Sequence, residues 1–306
     1  MKVLGVSAGA ADGSAEILLK AALMEIEALG HDVSLLRLDD LAIPTGPFET
    51  DEPDDCPWFL EQVLASDGVI YSSPIYSRSI AGKLRLLTDR VFGPHTDTGF
   101  VEFLLGLRER GEPNPLPFEP DERVLRGRVA AFIAVGGSLT DQWKTLALPL
   151  MWTLTLSMRE AVVDQVVFQG AGTPKSIVLD AAALQRAREL GRNVASQLGR
   201  GFDDAEYLGD PGICPYCHLS VIAVRGDVVE CATCGAEGRF EVVGGSVTVR
   251  FSAEGLDASV VTMAEKRAHV HEVFETAVAH AGRADEVAAG AAPFAEWDRR
   301  ITPTRV

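Results

Sequence analysis

The 306-residue chain predicts an α/β fold: a doubly wound sheet of five parallel strands, followed by a small four-cysteine β unit and a C-terminal helix. Two observations carry this. Over roughly residues 1–200, short apolar runs rich in Val and Ile alternate five times with helical patterns, as strands buried on both faces and their crossover helices do. Beyond that, two Cys-x-x-Cys pairs sit among short β runs and tight turns.

The strands fall at Val3–Ser7, Asp32–Leu38, Gly68–Ser72, Arg128–Val135 and Val162–Phe168. The helices fall at Ser14–Leu29, Pro57–Ala65, Ile80–Val91, Gln142–Ser157 and Asp180–Leu198. In the first helix, Ile17, Leu18, Ala21, Ala22, Met24 and Ala28 form an apolar stripe, with Ser14 as N-cap and Gly30 as stop. A ligand on such a sheet lies beyond the carboxyl ends of the strands, which directs attention to the loops after Ser7, Ser72 and Val135. Residues 93–127 interrupt the alternation with an irregular insertion carrying five prolines, read as a lid or subunit contact in preference to plain decoration. A boundary near Gly199–Gly201 gives three units: 1–200, a cysteine unit at 201–252, and a tail at 253–306. In the cysteine unit, β runs at 219–224, 228–230, 240–243 and 247–251 are joined by turns at Arg225-Gly226-Asp227 and Gly244-Gly245. A helical pattern spans about 260–281, and the Ala-rich last twenty-five residues read as packed on something larger or partly disordered.

The formal net charge is −16 with a pI of about 4.8. Such a surface repels nucleic-acid phosphates, and no basic stripe offsets it. No apolar run is long enough to span a membrane, and the N-terminus reads as a strand, not a signal peptide, so a cytoplasmic location is expected.

The first loop, Ala8-Gly9-Ala10-Ala11-Asp12-Gly13, leads into Ser14-Ala15 and is small throughout. Its backbone N–H groups and the following helix N-terminus suit an anion, and Ser7 and Ser14 can donate to a phosphate. A tight βα turn with a serine cap explains the same residues equally well. Neither the dinucleotide fingerprint nor the lysine-bearing P-loop is present.

Cys214-x-x-Cys217 and Cys231-x-x-Cys234, thirteen residues apart, point to a metal. Two such turns on a hairpin bring four thiolates to one tetrahedral point. A structural zinc ribbon is the first reading and a rubredoxin-like iron the second; disulfides do not suit a reducing compartment. His218 is read as a bystander. Cys56 reads as a small buried hydrophobe, too few thiols for an iron–sulfur cluster in that region.

The second loop is specific. Ser73-Pro74-Ile75-Tyr76-Ser77-Arg78-Ser79-Ile80-Ala81-Gly82-Lys83-Leu84-Arg85, running on to Asp89-Arg90, resembles the NADPH-dependent FMN reductase family, whose pattern is G-S-P-x-Y-x-x-S-x-x-G-x-L-K before a helix ending in D-R. The opening stretch and the third loop, Gly136-Gly137-Ser138, are similar to that family as well. The resemblance implies a flavodoxin-like sheet over about residues 1–200 that holds FMN non-covalently, with NAD(P)H as donor. Ser7, Gly13, Ser14 and Ala15 would surround the phosphate. Pro74, Ile75, Tyr76 and Ser77 would face the ring, with the Ile75 and Tyr76 N–H groups toward it and Tyr76 stacked along it. Gly136, Gly137 and Ser138 would border its other edge. Tyr76 and Arg78 would meet the substrate; Arg78 suits a substrate carboxylate or phosphate, or a surface salt bridge.

The first loop departs from the family's S-G-S-P-R: Ala11 replaces the basic residue and Asp12 adds a carboxylate. Two negative charges at roughly 4 Å repel by about 1 kcal/mol in water, so Asp12 must point away if FMN is to bind. The resulting expectation is an FMN-dependent NAD(P)H oxidoreductase acting on a flavin, quinone, azo or nitro compound, or on a biosynthetic metabolite, with operation as a dehydrogenase left open, in a homodimer or homotetramer. A flavin-binding electron carrier and a scaffold that has lost FMN are the alternatives.

Overall fold

The computed structural model describes residues 1–45, 51–297 and 299–301. Its elements in chain order begin β1 (Lys2–Ser7), α1 (Ser14–Ala28), β2 (Asp32–Arg37), α2 (Cys56–Leu64), β3 (Gly68–Pro74), α3 (Gly82–Val91) and α4 (Thr98–Glu109). There follow β4 (Val129–Val135), α5 (Ala147–Trp152), β5 (Ala161–Phe168) and α6 (Ala181–Gln197). The C-terminal part holds β6 (Ile222–Arg225), β7 (Val228–Cys231), β8 (Glu237–Val243), β9 (Ser246–Phe251), α7 (Ala253–Asp257), α8 (Met263–Ala281) and α9 (Ala284–Glu296).

The first five strands are all parallel, in the order β2-β1-β3-β4-β5. That order reverses between β1 and β3, so the loops after Ser7 and Pro74 flank the switch point where open α/β sheets bind ligands. β3 and β4 are buried almost throughout, which explains their unbroken apolar sequence. α1 and α6 cover one face. They approach closely because Gly191 lies against the Ala22 backbone, where a Cβ would come within 2.4 Å of the carbonyl oxygen. The other face is covered by α2, α3 and α5, and the four paired cysteines join that same apolar cluster.

The flavodoxin-like sheet and a separate antiparallel sheet, β6-β7-β8-β9, match the expected architecture. Its turns use Gly226, Gly244 and Gly245, all at positive φ. The cysteine unit is tied to the parallel sheet by a buried relay. The Trp152 Nε1–H donates to Gln165 Oε1 at 2.9 Å, and Gln165 Nε2 donates to the Cys217 carbonyl at 2.7 Å.

Four sequence expectations need correction. The insertion at 93–127 is not irregular throughout: its middle forms α4, capped by the Asp97 side chain, which accepts from Gly99 N–H at 2.8 Å. The Gln142–Ser157 helix is broken into a 3-10 turn at Asp141–Trp143, the short α5, and turns beyond it. Gly13, not Ser14, is the N-cap of α1, and it makes no side-chain bond there. The C-terminal region holds two long helices instead of one. α8 docks on α4 through Lys266–Asp97 and Arg267–Glu102 ion pairs and Phe103 against Phe274, ring centroids 5.2 Å apart. α9 is exposed along its described length, while residues 298 and 302–306 of the expected tail lie outside the described residues. No helix among the described residues is long and apolar enough to cross a membrane.

Candidate functional site

The first loop leaves its donors open. Ala8 N–H bonds to Ser72 O at 2.8 Å and Gly13 N–H to Ala10 O at 2.9 Å. The N–H groups of Gly9, Ala10, Ala11, Ser14, Ala15 and Glu16 find no acceptor among the described residues. Gly13 is needed for the turn, since a Cβ there would press to 3.0 Å from the Ala10 carbonyl oxygen. At the root of the loop Ser7 is fully buried, and its Oγ has no partner among the described residues. A fully buried, unpaired hydroxyl is costly. Together with six open amides at a helix N-terminus, it forms a cradle that fits a phosphate.

Behind the cradle lies a charge network that sequence reasoning missed. Glu16, fully buried in the first turn of α1, receives two bonds from the Arg37 guanidinium at 2.8 and 2.9 Å. It also accepts from Asp12 N–H at 3.2 Å and pairs with Lys20 at 2.7 Å. The Arg37 bonds hold its carboxyl down to about 2 against the opposing effect of burial. Asp12, in left-handed backbone, is bound by Lys20 at 2.8 Å. Lys20 lowers its pKa first, and Lys175 contributes at longer range. The carboxylate that threatened the phosphate is therefore neutralised by a lysine eight positions on. The Glu16–Lys20 spacing was readable as a helical i,i+4 pair. Arg37 becomes relevant only once β2 is known to lie beside β1.

The second loop is a tight hairpin. Tyr76 and Ser79 exchange backbone bonds at 2.8 and 2.9 Å, with Ser77 and Arg78 at φ 47° and 73° between them. The expectation that the Ile75 and Tyr76 N–H groups face a ring is corrected here. Ile75 N–H is taken by Val135 O at 2.8 Å, because the loop continues the β3–β4 pairing, and Tyr76 N–H closes the hairpin. The N–H groups of Ser77 and Arg78, at its tip, find no acceptor among the described residues. Ser73 Oγ accepts from Ala81 N–H at 3.0 Å and fixes the far side of the turn. Pro74 ends β3. The Tyr76 ring is 62% exposed, and Arg78 makes no ion pair among the described residues.

The third loop is adjacent. A Cβ at Gly136 would meet the Ile75 side chain at 3.4 Å, and one at Gly137 would meet Gly172 at 3.4 Å, both ordinary contacts. The Ser138 carbonyl accepts from Gln169 Nε2 at 3.3 Å, and its Oγ lies 3.1 Å from Thr140 Oγ1. The residues expected from the three loops thus stand together along the carboxyl edge of β1, β3 and β4.

Other perturbed groups lie elsewhere. Glu160 is fully buried, and burial raises its pKa to about 7, with Arg128 opposing. It precedes β5, at the amino edge of the sheet, and so does not belong to this site. A groove of about 700 Å³ on the cysteine unit between β8 and α7 includes Glu241 and Arg250, which are already paired at 2.6 Å.

The four cysteines Cys214, Cys217, Cys231 and Cys234 are buried and unbridged, with all four Sγ atoms within 4.8 Å of one another. Cys214 and Cys234 Sγ lie 3.5 Å apart, and Cys217 and Cys231 3.4 Å. Two matching knuckles produce this. The Cys214 carbonyl accepts from His218 N–H and the Cys231 carbonyl from Gly235 N–H, with His218 and Gly235 both left-handed. His218 fills that backbone position and stacks on Tyr207 with centroids 3.7 Å apart, away from ligand duty. Tetrahedral thiolates about 2.3 Å from a metal fit this spacing. Cys56 is buried, and burial raises its thiol to about 12, which makes it unreactive.

The model of the NADPH-dependent FMN reductase family matches residues 1–171. A curated protein named flavone synthase, from Aspergillus candidus, is 33% identical over 293 residues, covering 89% of this chain and 88% of its own. A solved structure titled flavone reductase is 31% identical with a TM-score of 0.83, covering 99% of this chain and 100% of its own.

Proposed function

The chain belongs to the NADPH-dependent FMN reductase family and is an FMN-dependent oxidoreductase; from that premise we propose that its acceptor is a flavone-type enone, reduced at the C2=C3 bond. One observation carries the substrate class: the likeness to the flavone reductase extends over 99% of this chain, cysteine unit and helical tail included, well beyond the flavin domain.

In this reading Ser7, Gly13, Ser14 and Ala15 hold the FMN phosphate, with the open amides of the loop supplying the charge complement that Ala11 does not. Bound FMN supplies a two-electron relay between NADPH and the acceptor. Pro74, Ile75, Tyr76 and Ser77 would line one border of the ring, where the Ser77 and Arg78 N–H groups have no acceptor among the described residues. Gly136, Gly137 and Ser138 form the other border. A Cβ at 136 or 137 would make only ordinary contacts among the described residues, which fits glycines that leave room for the close approach of a ligand. Tyr76 offers an aromatic face, and Arg78 a guanidinium without an ion pair among the described residues that can bind and polarise a carbonyl oxygen. The reaction balances as flavone plus NADPH plus one proton giving 2,3-dihydroflavone plus NADP⁺, the additional proton coming from solvent. Cys214, Cys217, Cys231 and Cys234 would hold zinc, which four thiolates would close off and give a structural role.

The relative named flavone synthase favours a second reading, in which a dihydroflavone gives up two electrons and two protons, with dioxygen as final acceptor and hydrogen peroxide as product. Reconstituted holoprotein, NADPH and flavone under anaerobic conditions test the first reading. A product heavier by two hydrogens, formed one for one with NADPH oxidised, is expected. Protein that consumes NADPH with quinones but leaves flavone unchanged overturns the substrate class. Flavone formed only from the dihydro compound in air supports the second direction.

A further inference from the structure

The segment after β4 displays apolar surface on a fixed frame. Leu139 is 80% exposed, Trp143 52% and Leu146 40%. Yet the backbone there is pinned. Lys144 Nζ bonds to Gln169 Oε1 at 2.9 Å and to Asp141 at 2.7 Å. Trp143 N–H bonds to Thr140 O at 3.3 Å, and Thr145 Oγ1 donates to Asp141 O at 3.0 Å. Leu139 lies over the backbone of Gly170, at the end of β5. These four polar contacts fix the segment on either side of Trp143 and leave its indole about half exposed, an arrangement that folding alone does not favour, because burial of a tryptophan removes roughly 150–250 Å² from water.

The position of this frame says what it meets. It continues directly from Gly136, which lies beside Ile75, and Gly137, which lies beside Gly172, and the hairpin of Tyr76 and Arg78 follows the neighbouring strand end. Two exposed aromatic rings, two leucines and a guanidinium with no ion pair among the described residues thus lie on loops at the carboxyl edge of β3 and β4. This combination suits a flat, largely apolar aromatic molecule with an electron-rich oxygen at its rim.

The geometry points to Trp143 as the specificity-determining residue of the acceptor site, its indole stacking on the planar aromatic acceptor, with Leu139 and Leu146 as the apolar wall on the same segment. This rests on the flavone reading for the substrate but not for the wall. A wall of this kind selects for planar polyaromatic acceptors over small ones, and it is supplied by the broken helix between residues 141 and 152, whose irregularity displays the ring.

Holoenzyme carrying Trp143→Ala or Trp143→Phe tests this with unsubstituted flavone as probe, through the flavin absorption change on binding and through steady-state kinetics. Trp143→Ala is expected to raise both Kd and KM about tenfold, with the loss on KM and not on kcat, and Trp143→Phe to recover most of it. Flavin content and sedimentation of the same samples report folding and assembly. Kd unchanged within about twofold overturns the assignment. So does a fall in sedimentation mass in the alanine variant, which would make this segment a contact between copies of the chain. Should the wild-type enzyme neither bind nor reduce flavone, the substrate reading fails by itself. The same series with a naphthoquinone then decides the wall: a comparable KM loss sustains it, and no loss overturns it.

Discussion

The carboxyl-edge loops and the cysteine unit treat their polar groups in opposite ways. At the edge, six amides of the first loop, two of the second and the buried Ser7 hydroxyl lack partners among the described residues, while Tyr76, Leu139 and Trp143 are displayed to solvent. In the cysteine unit, four thiols face one another in a buried cluster, the knuckle carbonyls are capped by His218 and Gly235, and Gln165 bonds the unit to the sheet. An open, unsatisfied region is prepared for something that arrives and leaves. The four buried thiols, with the Thr233 hydroxyl as the one buried side-chain group there without a partner among the described residues, form a closed site that would keep a bound metal and couple it to folding. The contrast supports the proposed division, with chemistry at the loops and stability at the cysteines, and it can be broken at either end.

The largest effect is expected at the closed end. Cys231→Ser should release the metal and, because the thiols pack into the same apolar cluster as Trp152 and Phe132, lower the melting temperature of the whole chain as well as that of β6–β9. A loss of several kcal/mol is expected, since removing a ligand forfeits binding energy coupled to folding. Metal analysis with thermal melting checks it. Unchanged metal content would mean that the ligands are wrong, and unchanged melting after metal loss would remove the cysteines from the structural core.

The second test asks whether perturbed titration marks function here. Glu160 has both carboxylate oxygens buried without a partner among the described residues, and its pKa is raised to about 7 from 4.5. Below 4.5 folded and unfolded chains are both protonated at this position. Between 4.5 and about 7 the unfolded chain loses its proton while the folded chain keeps it, so stability declines across that window. Above it the folded carboxylate is charged and the full cost is present. Arg128 is held independently by the carbonyls of Leu64, Arg123 and Arg126, so removing the carboxylate does not strand it. Glu160→Gln should therefore stabilise the chain by on the order of 2–3 kcal/mol near pH 8 and little near pH 4. Denaturant melts at the two pH values measure this. An equal effect at both would place the cause in packing and not in charge.

How much of this was legible differs between the same two regions. The cysteine spacing and the Gly-rich turns disclosed the closed unit almost completely, because knuckles are local: each is set by residues within five positions. The strands of the parallel sheet were legible for the same reason, as runs of Val and Ile buried on both faces. The helix at 142–157 was misread because its apolar periodicity continues through Leu146, Leu150 and Leu154, while Pro149, which lacks an N–H and clashes with the preceding turn, sits in the first turn of the short helix that forms. α4 was hidden by the prolines that follow it, and its partner α8 lies more than 150 residues away. Within the candidate site, the loop residues were named by motif. Arg37, Lys175 and Trp143 were not, because their relevance comes from strand order and from the fold of neighbouring loops. The two N–H groups assigned to the wrong residues of the hairpin show the same limit: a motif names a turn, but the turn's own hydrogen bonds decide which donors remain.

The smallest expected effect is the sharpest test of the open end, because it has opposite signs in two states of one variant. Ser7 Oγ is fully buried and unpaired among the described residues, so in the apoprotein it carries a desolvation cost with no bond in return. Ser7→Ala removes that cost and should raise apoprotein stability by about 1 kcal/mol. The same change removes a donor to the phosphate, and FMN affinity should fall about tenfold, the equivalent of about 1.4 kcal/mol. Thermal melting of the apo form and a flavin fluorescence titration measure the two halves. A purely structural hydroxyl would lose stability on substitution and leave FMN affinity alone. A variant that weakens both states equally would show that the loop gains nothing from its occupant, and the division between an open edge and a closed cysteine unit would lose its physical basis.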